Sequence, residues 1–274
     1  MAPSAKAEST RVAAEGGCAR SQFNLSLYLY SGQEGVAKDD TQSVTWLQKA
    51  AAQGHARAEA NLGYRLLNGL GVKLDAAAAV ASLSKAADKG LAEAQRRLAF
   101  CQSEGLGCIQ DLPSAVNFSR QAADQGDMTA QRNLAVHYYH GDGVAQDYTE
   151  AIKWFSLAAA QGCKVSQYSL GKMYADGTGV KKKDNMTAKT FLTLAAAQGC
   201  EKSIALLKEI RRCVYCGTLD VHHMICGRCR LVRYCNAGSG LTHTLHTFLL
   251  NLSTFYVWMT RVRFRAEILR SSSG

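Results

Sequence analysis

Residues 130–165 read AQRNLAVHYYHGDGVAQDYTEAIKWFSLAAAQGCKV, and this stretch decides the fold. Leu134 and Tyr138 are four apart, so they share one helix face. Gly141-Asp142-Gly143-Val144 breaks that helix and makes a turn. Asp147 precedes a second run, in which Ala151, Trp154, Phe155, Ala158 and Ala159 keep helical spacing. Gly162 ends it, because glycine accepts the left-handed conformation at a helix C-terminus. The unit is two antiparallel helices joined by a short glycine turn.

The unit recurs. Gly54, Gly90, Gly126 and Gly162 are 36 residues apart, and Gly199 follows 37 later. Leu62, Leu98, Leu134 and Leu170 keep the same step, as do the paired turn glycines Gly69/Gly71, Gly105/Gly107, Gly141/Gly143 and Gly177/Gly179. Five copies are legible, at 21–57, 58–93, 94–129, 130–165 and 166–202. The first and last each carry one extra residue in a turn, where length changes are tolerated. Small residues hold fixed columns: Ala50, Ala86, Ala122, Ala158 and Ala195, and Ser26, Gly63, Ala99, Ala135 and Gly171. Small side chains at every copy of a position imply close backbone approach there. An aromatic column (Trp46, Phe118, Trp154, Phe191, with Ser82 the exception) fills the adjacent space. A fixed period in this range means stacked units that bury their apolar faces against their neighbours.

The pattern A-x-x-x-L-G-x-x-Y, G-x-G-V, D, A-x-x-W-F-x-x-A-A-x-Q-G resembles the Sel-like repeat, a relative of the tetratricopeptide repeat. Residues 166–180 (SQYSLGKMYADGTGV) and 151–162 (AIKWFSLAAAQG) are close matches. The resemblance implies an all-α, right-handed α-solenoid of about five helix-pair repeats. It also implies an adaptor that holds other proteins or peptides together.

Composition agrees with helices: proline occurs only twice in 274 residues. The formal net charge is +10. Residues 201–274 hold 11 Lys/Arg against 4 Asp/Glu, so +7 of the +10 lies in that part. Such an excess attracts nucleic acid or acidic surfaces. No stripe of Lys/Arg interleaved with aromatics makes a nucleic-acid footprint, and a solvated basic tail accounts for the charge more simply. Residues 1–18 lack an apolar run of signal-peptide length and read as a disordered leader.

Five of the ten cysteines lie in 213–235, CVYCGTLDVHHMICGRCRLVRYC. Paired thiolates two residues apart can grip a tetrahedral Zn²⁺. The segment resembles the first two-thirds of a MYND zinc finger. That family binds two ions with seven cysteines and one histidine. By resemblance, Cys213 and Cys216 would share one ion with Cys235 and a further cysteine four residues on. Cys226 and Cys229 would share the second with a histidine and a final cysteine. Position 239 is Ser239, no cysteine follows Cys235, and His243 and His246 stand near, but not at, the family's histidine spacing. The expectation is one zinc, with Cys213, Cys216, Cys226 and Cys229 as one ligand set. Cys235 and His222, His223, His243 or His246 are available to supplement it.

Residues 245–259 are apolar, but 15 residues fall short of the roughly 20 needed to span a bilayer. His137 and His140 beside Asp142 read as surface residues, because the other turns lack those histidines. The glycine turns are not phosphate loops, since no G-K-[ST] follows them. No nucleophile–base arrangement is legible. The organisation expected is a leader at 1–18, a solenoid with a closing helix at 19–212, a partial zinc finger at 213–247 and an irregular tail at 248–274. The function expected is a non-enzymatic, zinc-binding protein scaffold in the cytoplasm or nucleus. Its rival is a nucleic-acid-associated regulator using the basic C-terminal third.

Overall fold

The computed structural model describes residues 3–211. Twelve helices follow one another there: α1 (Ala5–Glu15), α2 (Ala19–Ser31), α3 (Asp40–Ala52), α4 (Ala56–Asn68), α5 (Ala76–Asp88), α6 (Ala92–Glu104), α7 (Leu112–Asp124), α8 (Met128–His140), α9 (Tyr148–Ala160), α10 (Lys164–Asp176), α11 (Asn185–Ala197) and α12 (Glu201–Arg211). The described residues contain no strand. The two expected modules at 213–247 and 248–274 lie outside the described residues.

The helix ends follow from the repeated turn chemistry. Each second helix opens on an aspartate: Asp39, Asp75, Asp111, Asp147 and Asp184. Each carboxylate accepts from a first-turn N–H that would otherwise lack a partner. Each first helix ends on a left-handed glycine: Gly32, Gly69, Gly105, Gly141 and Gly177. The second turn glycine has a different task. A Cβ at Gly71 or Gly107 would lie 2.2 Å from the carbonyl oxygen of Asp40 or Ala76. The turn of one repeat therefore rests on the start of the preceding repeat's second helix.

The small-residue columns form the seams between helices. Ala50, Ala86, Ala122, Ala158 and Ala195 are all 0% exposed. A Cβ at Gly63 would come within 2.7 Å of Leu83 Cγ, and one at Gly171 within 2.5 Å of Leu192 Cγ. Trp154 is buried beside this seam, whereas Trp46, Phe118 and Phe191 are half-buried. Packing runs between consecutive helices along the whole series. Helices open two residues earlier than the sequence phase, at 19, 56, 92, 128 and 164, because the first turn precedes the first buried residue.

A polar ladder joins the repeats, and the column reading missed it. Gln131 Nε2 donates to the Ala123 carbonyl at 3.2 Å, and its Oε1 accepts from Gln161 at 2.8 Å. Gln22 with Gln53, Gln95 with Gln125 and Gln167 with Gln198 repeat the arrangement. In the second repeat the rung is ionic. Glu59, 3% exposed, accepts from Lys89 Nζ at 2.7 Å, and Lys89 also donates to the Gly54 carbonyl. A carboxylate cannot donate to a carbonyl, so this rung lacks the bond that glutamine makes to the preceding helix.

The leader is the correction. Residues 5–15 form α1, which packs on α2 as a preceding second helix would. Ala7 and Ala14 are buried at 2% and 1% exposure. Gln22 donates to the Ala14 carbonyl at 3.1 Å, as Gln95 does to Ala87. The stripe that α1 buries on α2 is narrow and made of alanines, so no apolar run marks it in the sequence. Ser4 closes the helix start: its hydroxyl accepts from the Ala7 N–H and donates to Glu34 at 2.6 Å. The Ser4 bond and then Lys6 hold the Glu34 carboxyl below its ordinary pKa.

Candidate protein-binding face

Successive first helices approach one another directly. Contacts reach from α4 to α6 and from α10 to α12. The Arg65 guanidinium of α4 lies 3.8 Å over the Tyr30 ring of α2. Arg97 of α6 lies 4.2 Å over Tyr64 of α4 and pairs with Glu93 at 2.7 Å. The first helices thus lie side by side, and their outward sides make one continuous face.

Two rows of side chains line this face. One is apolar over four repeats: Leu27, Tyr64, Phe100 and Val136, then Lys172. Leu27, Phe100 and Val136 are 39%, 51% and 38% exposed, so the row is available to a partner. Three residues earlier on each helix stands a polar row: Asn24, Asn61, Arg97, Asn133 and Ser169, all half-buried. Asn24, Asn61 and Ser169 have no hydrogen-bond partner among the described residues, while Asn133 accepts from Arg132 at 2.9 Å. Side-chain amides can both donate to and accept from a backbone, and the neighbouring row offers apolar area. Sequence columns of mixed chemistry hid the pattern, although the recurring Asn24, Asn61 and Asn133 were visible.

At one end of the face, α2 and the start of α4 enclose an open cleft of about 340 Å³. Arg20, Phe23, Asn24, His55, Ala56 and Arg57 line it. Phe23 and His55 stack with ring centroids 4.8 Å apart. His55 caps α4, its Nδ1 accepting from the Ala58 N–H at 3.2 Å. Burial, with the Arg57 charge adding to it, holds the His55 pKa below its ordinary value.

No group of three or more His, Cys, Asp or Glu is placed to hold a metal among the described residues. His137 Nδ1 lies 3.0 Å from the Asp142 carbonyl, and His140 meets Tyr139 edge-on. Cys18, Cys101, Cys108, Cys163 and Cys200 are free thiols. Burial pushes the Cys101 thiol up to about 11, so it is a packing residue rather than a nucleophile. The candidate zinc ligands Cys213, Cys216, Cys226, Cys229, Cys235, His243 and His246 lie outside the described residues. None of the described helices is long and apolar enough to cross a membrane.

Comparison with known proteins converges on the repeat. The Sel1 repeat profile matches five consecutive stretches, 19–55, 56–91, 92–127, 129–163 and 164–200. No curated protein matches significantly. A protective antigen of uropathogenic Escherichia coli with the SLR fold superposes with a TM-score of 0.72 and 38% identity over 75% of this chain. The chain spans 44% of that antigen's length. A Sel1 repeat protein from Oxalobacter formigenes superposes with a TM-score of 0.65 and 28% identity, covering 71% of this chain and 77% of its own. Five contiguous repeats, each with its aspartate-capped second helix and paired turn glycines, make the chain a member of the Sel1 repeat family.

Proposed function

We propose that this chain is a scaffold that binds an extended segment of another protein along its first-helix face. Sel1 repeat proteins are generally non-catalytic protein–protein interaction scaffolds. The observation that carries the reading is the juxtaposition of the two rows. Exposed Leu27, Phe100 and Val136 run beside the unpaired amides of Asn24 and Asn61. An extended peptide presents apolar side chains and unpaired backbone groups together, and this face meets both. The stack would wind as a right-handed superhelix with this face inside, which lengthens the contact. The second-helix exteriors offer less over the first three repeats, where Thr41, Thr45, Ala77, Ala81 and Asn117 are exposed, and exposed Leu157, Met186 and Leu194 appear only on α9 and α11.

The experiment is selection of a random peptide library on the immobilised full chain. Hydrogen exchange with a selected peptide then maps the contact. Protection on α2, α4, α6 and α8 supports the reading. Protection confined to second helices contradicts it.

The cysteine-rich segment supplies a second function under the same reading. Cys213, Cys216, Cys226 and Cys229 would hold one zinc, with Cys235, His243 or His246 assisting. Its support is the doubled C-x-x-C spacing and its resemblance to the MYND finger. Metal analysis of the purified chain should give about one zinc per chain, and two or none overturns the assignment. The protein would work in the cytoplasm or nucleus.

A further inference from the structure

We infer that the cleft between Arg20 and Arg57 anchors a carboxylate side chain, Asp or Glu, of the segment bound along the first-helix face. The inference rests on the scaffold reading and adds the partner's chemistry. Arg20 and Arg57 occupy equivalent positions on α2 and α4. The later repeats place Glu93, Thr129 and Val165 there, so the row is basic only at this end. Both arginines are exposed, and neither guanidinium has a hydrogen-bond or ion-pair partner among the described residues. Elsewhere the arginines of this face are engaged: Arg97 pairs with Glu93, and Arg96 with Asp127 at 3.1 Å.

The rest of the lining has the same polarity. No acidic residue borders the cleft. Asn24 adds an unpaired amide. Because His55 Nδ1 accepts a backbone N–H, the neutral ring carries its proton on Nε2 and can only donate there. Glu59, the nearest acid along α4, is committed to Lys89. A guanidinium fork meets a planar carboxylate through two parallel bonds. The stacked Phe23 and His55 rings offer an apolar wall for the methylene stem of Asp or Glu. Unpaired cations, free donors and an apolar wall together favour an acidic side chain.

The test uses the full chain and three probes: the capped tripeptide valyl-glutamyl-valine, its glutaminyl counterpart and inorganic phosphate. NMR reads the Nε–H signals of Arg20 and Arg57 and the ring signals of His55. The glutamyl peptide should shift all three saturably, and the glutaminyl peptide should bind about tenfold more weakly or less. Bound carboxylate should also raise the His55 pKa. R20Q and R57Q should each weaken the glutamyl peptide about tenfold, whereas K153Q on the outside of a second helix should not. Circular dichroism checks that the exposed substitutions leave the helices intact. Equal binding of the two peptides overturns the inference, as does indifference to both arginine variants. Phosphate saturating these signals more tightly than the glutamyl peptide also overturns it, and marks a phosphoryl site instead. Undiminished binding of library-selected peptides by the Asn61→Ala, Phe100→Ala, Val136→Ala variant, with the cleft still binding the glutamyl peptide, would break only the scaffold reading.

Discussion

The inter-helix seams and the outward face of the first helices are built from the same repeat, yet they follow opposite rules. At the seams every position is used. Ala86, Ala122 and Ala158 have no exposed surface, and Gly63 and Gly171 leave no space for one more carbon. On the face the same helices leave Asn24 and Asn61 unpaired and hold Phe100 half in water. Seam columns are uniform across repeats because each copy packs on an equivalent neighbour. Face columns vary in chemistry because no other repeat covers them. The difference separates what specifies the stack from what is free to recognise a partner.

The sharpest break of that comparison is Gly107→Ala. It adds a carbon 2.2 Å from the Ala76 carbonyl oxygen at a φ of +71°. The loss should be about 3 kcal/mol or more in urea unfolding, from αL strain and overpacking together. Gly90 has a φ of +80° but open space around it. Gly90→Ala should therefore cost only about 1–2 kcal/mol of αL strain. Equal losses would mean that the turn does not press on the preceding helix.

Next is Ala158→Leu, which should cost about 1–3 kcal/mol by overpacking a 0% exposed site. Lys153, on the same helix but exposed, pairs with Glu150 at 3.3 Å and lies 5.8 Å from the Trp154 ring centroid. Lys153→Gln should stay within about 0.5 kcal/mol. A comparable effect from both would reverse the assigned faces.

The polar rungs give a smaller effect. Glu59→Gln leaves Lys89 facing an amide and should cost about 1 kcal/mol. Lys89→Gln added to it restores the rung found in the other repeats and should recover most of that loss. A double variant as weak as the single would show that the ionic rung is not exchangeable with the amide one.

The smallest effect is confined to the cap. Glu34 has a depressed carboxyl in the folded state, so its contribution is present above its unfolded pKa and is lost as pH falls through the folded value. Hydrogen-exchange protection of α1 should therefore fall as pH drops below about 4, the ordinary carboxylate range. In E34Q the protection should be weaker and show less of this pH dependence. Unchanged acid sensitivity in E34Q would place its cause elsewhere.

The solenoid was legible because its seams repeat: Gly54 to Gly199 and Ala50 to Ala195 mark helix ends and buried contacts directly. The capping helix was missed although 13–17, AAEGG, carries the alanine and glycine spacing that closes each second helix. Ala14 and Gly17 stand where Ala51 and Gly54 stand one repeat later. By the same register Ser9 and Thr10 stand where Trp46 and Leu47 stand, so the apolar residues that make the pattern visible are not there. The glutamine ladder escaped for a different reason. Its members are polar residues that periodicity assigns to the surface, yet Gln95, Gln131 and Gln167 are buried because each satisfies a backbone carbonyl of the preceding helix. The first-helix face was hardest to read, since Leu27, Tyr64, Phe100 and Val136 share a repeat position and not an identity.

The most direct measurement is the affinity of one library-selected peptide for three full-length proteins, with thermal unfolding of each. The three are the chain itself, a first-helix variant (Asn61→Ala, Phe100→Ala, Val136→Ala) and a second-helix variant (Thr45→Ala, Asn117→Ala, Lys153→Gln). Central interface residues carry most of a binding energy, so the first-helix variant should lose about hundredfold in affinity while its Tm stays within about 3 °C. The second-helix variant should bind as the unaltered chain does. Undiminished binding by the first-helix variant, or an equal loss in the second-helix one, would contradict the assignment of recognition to the first-helix face.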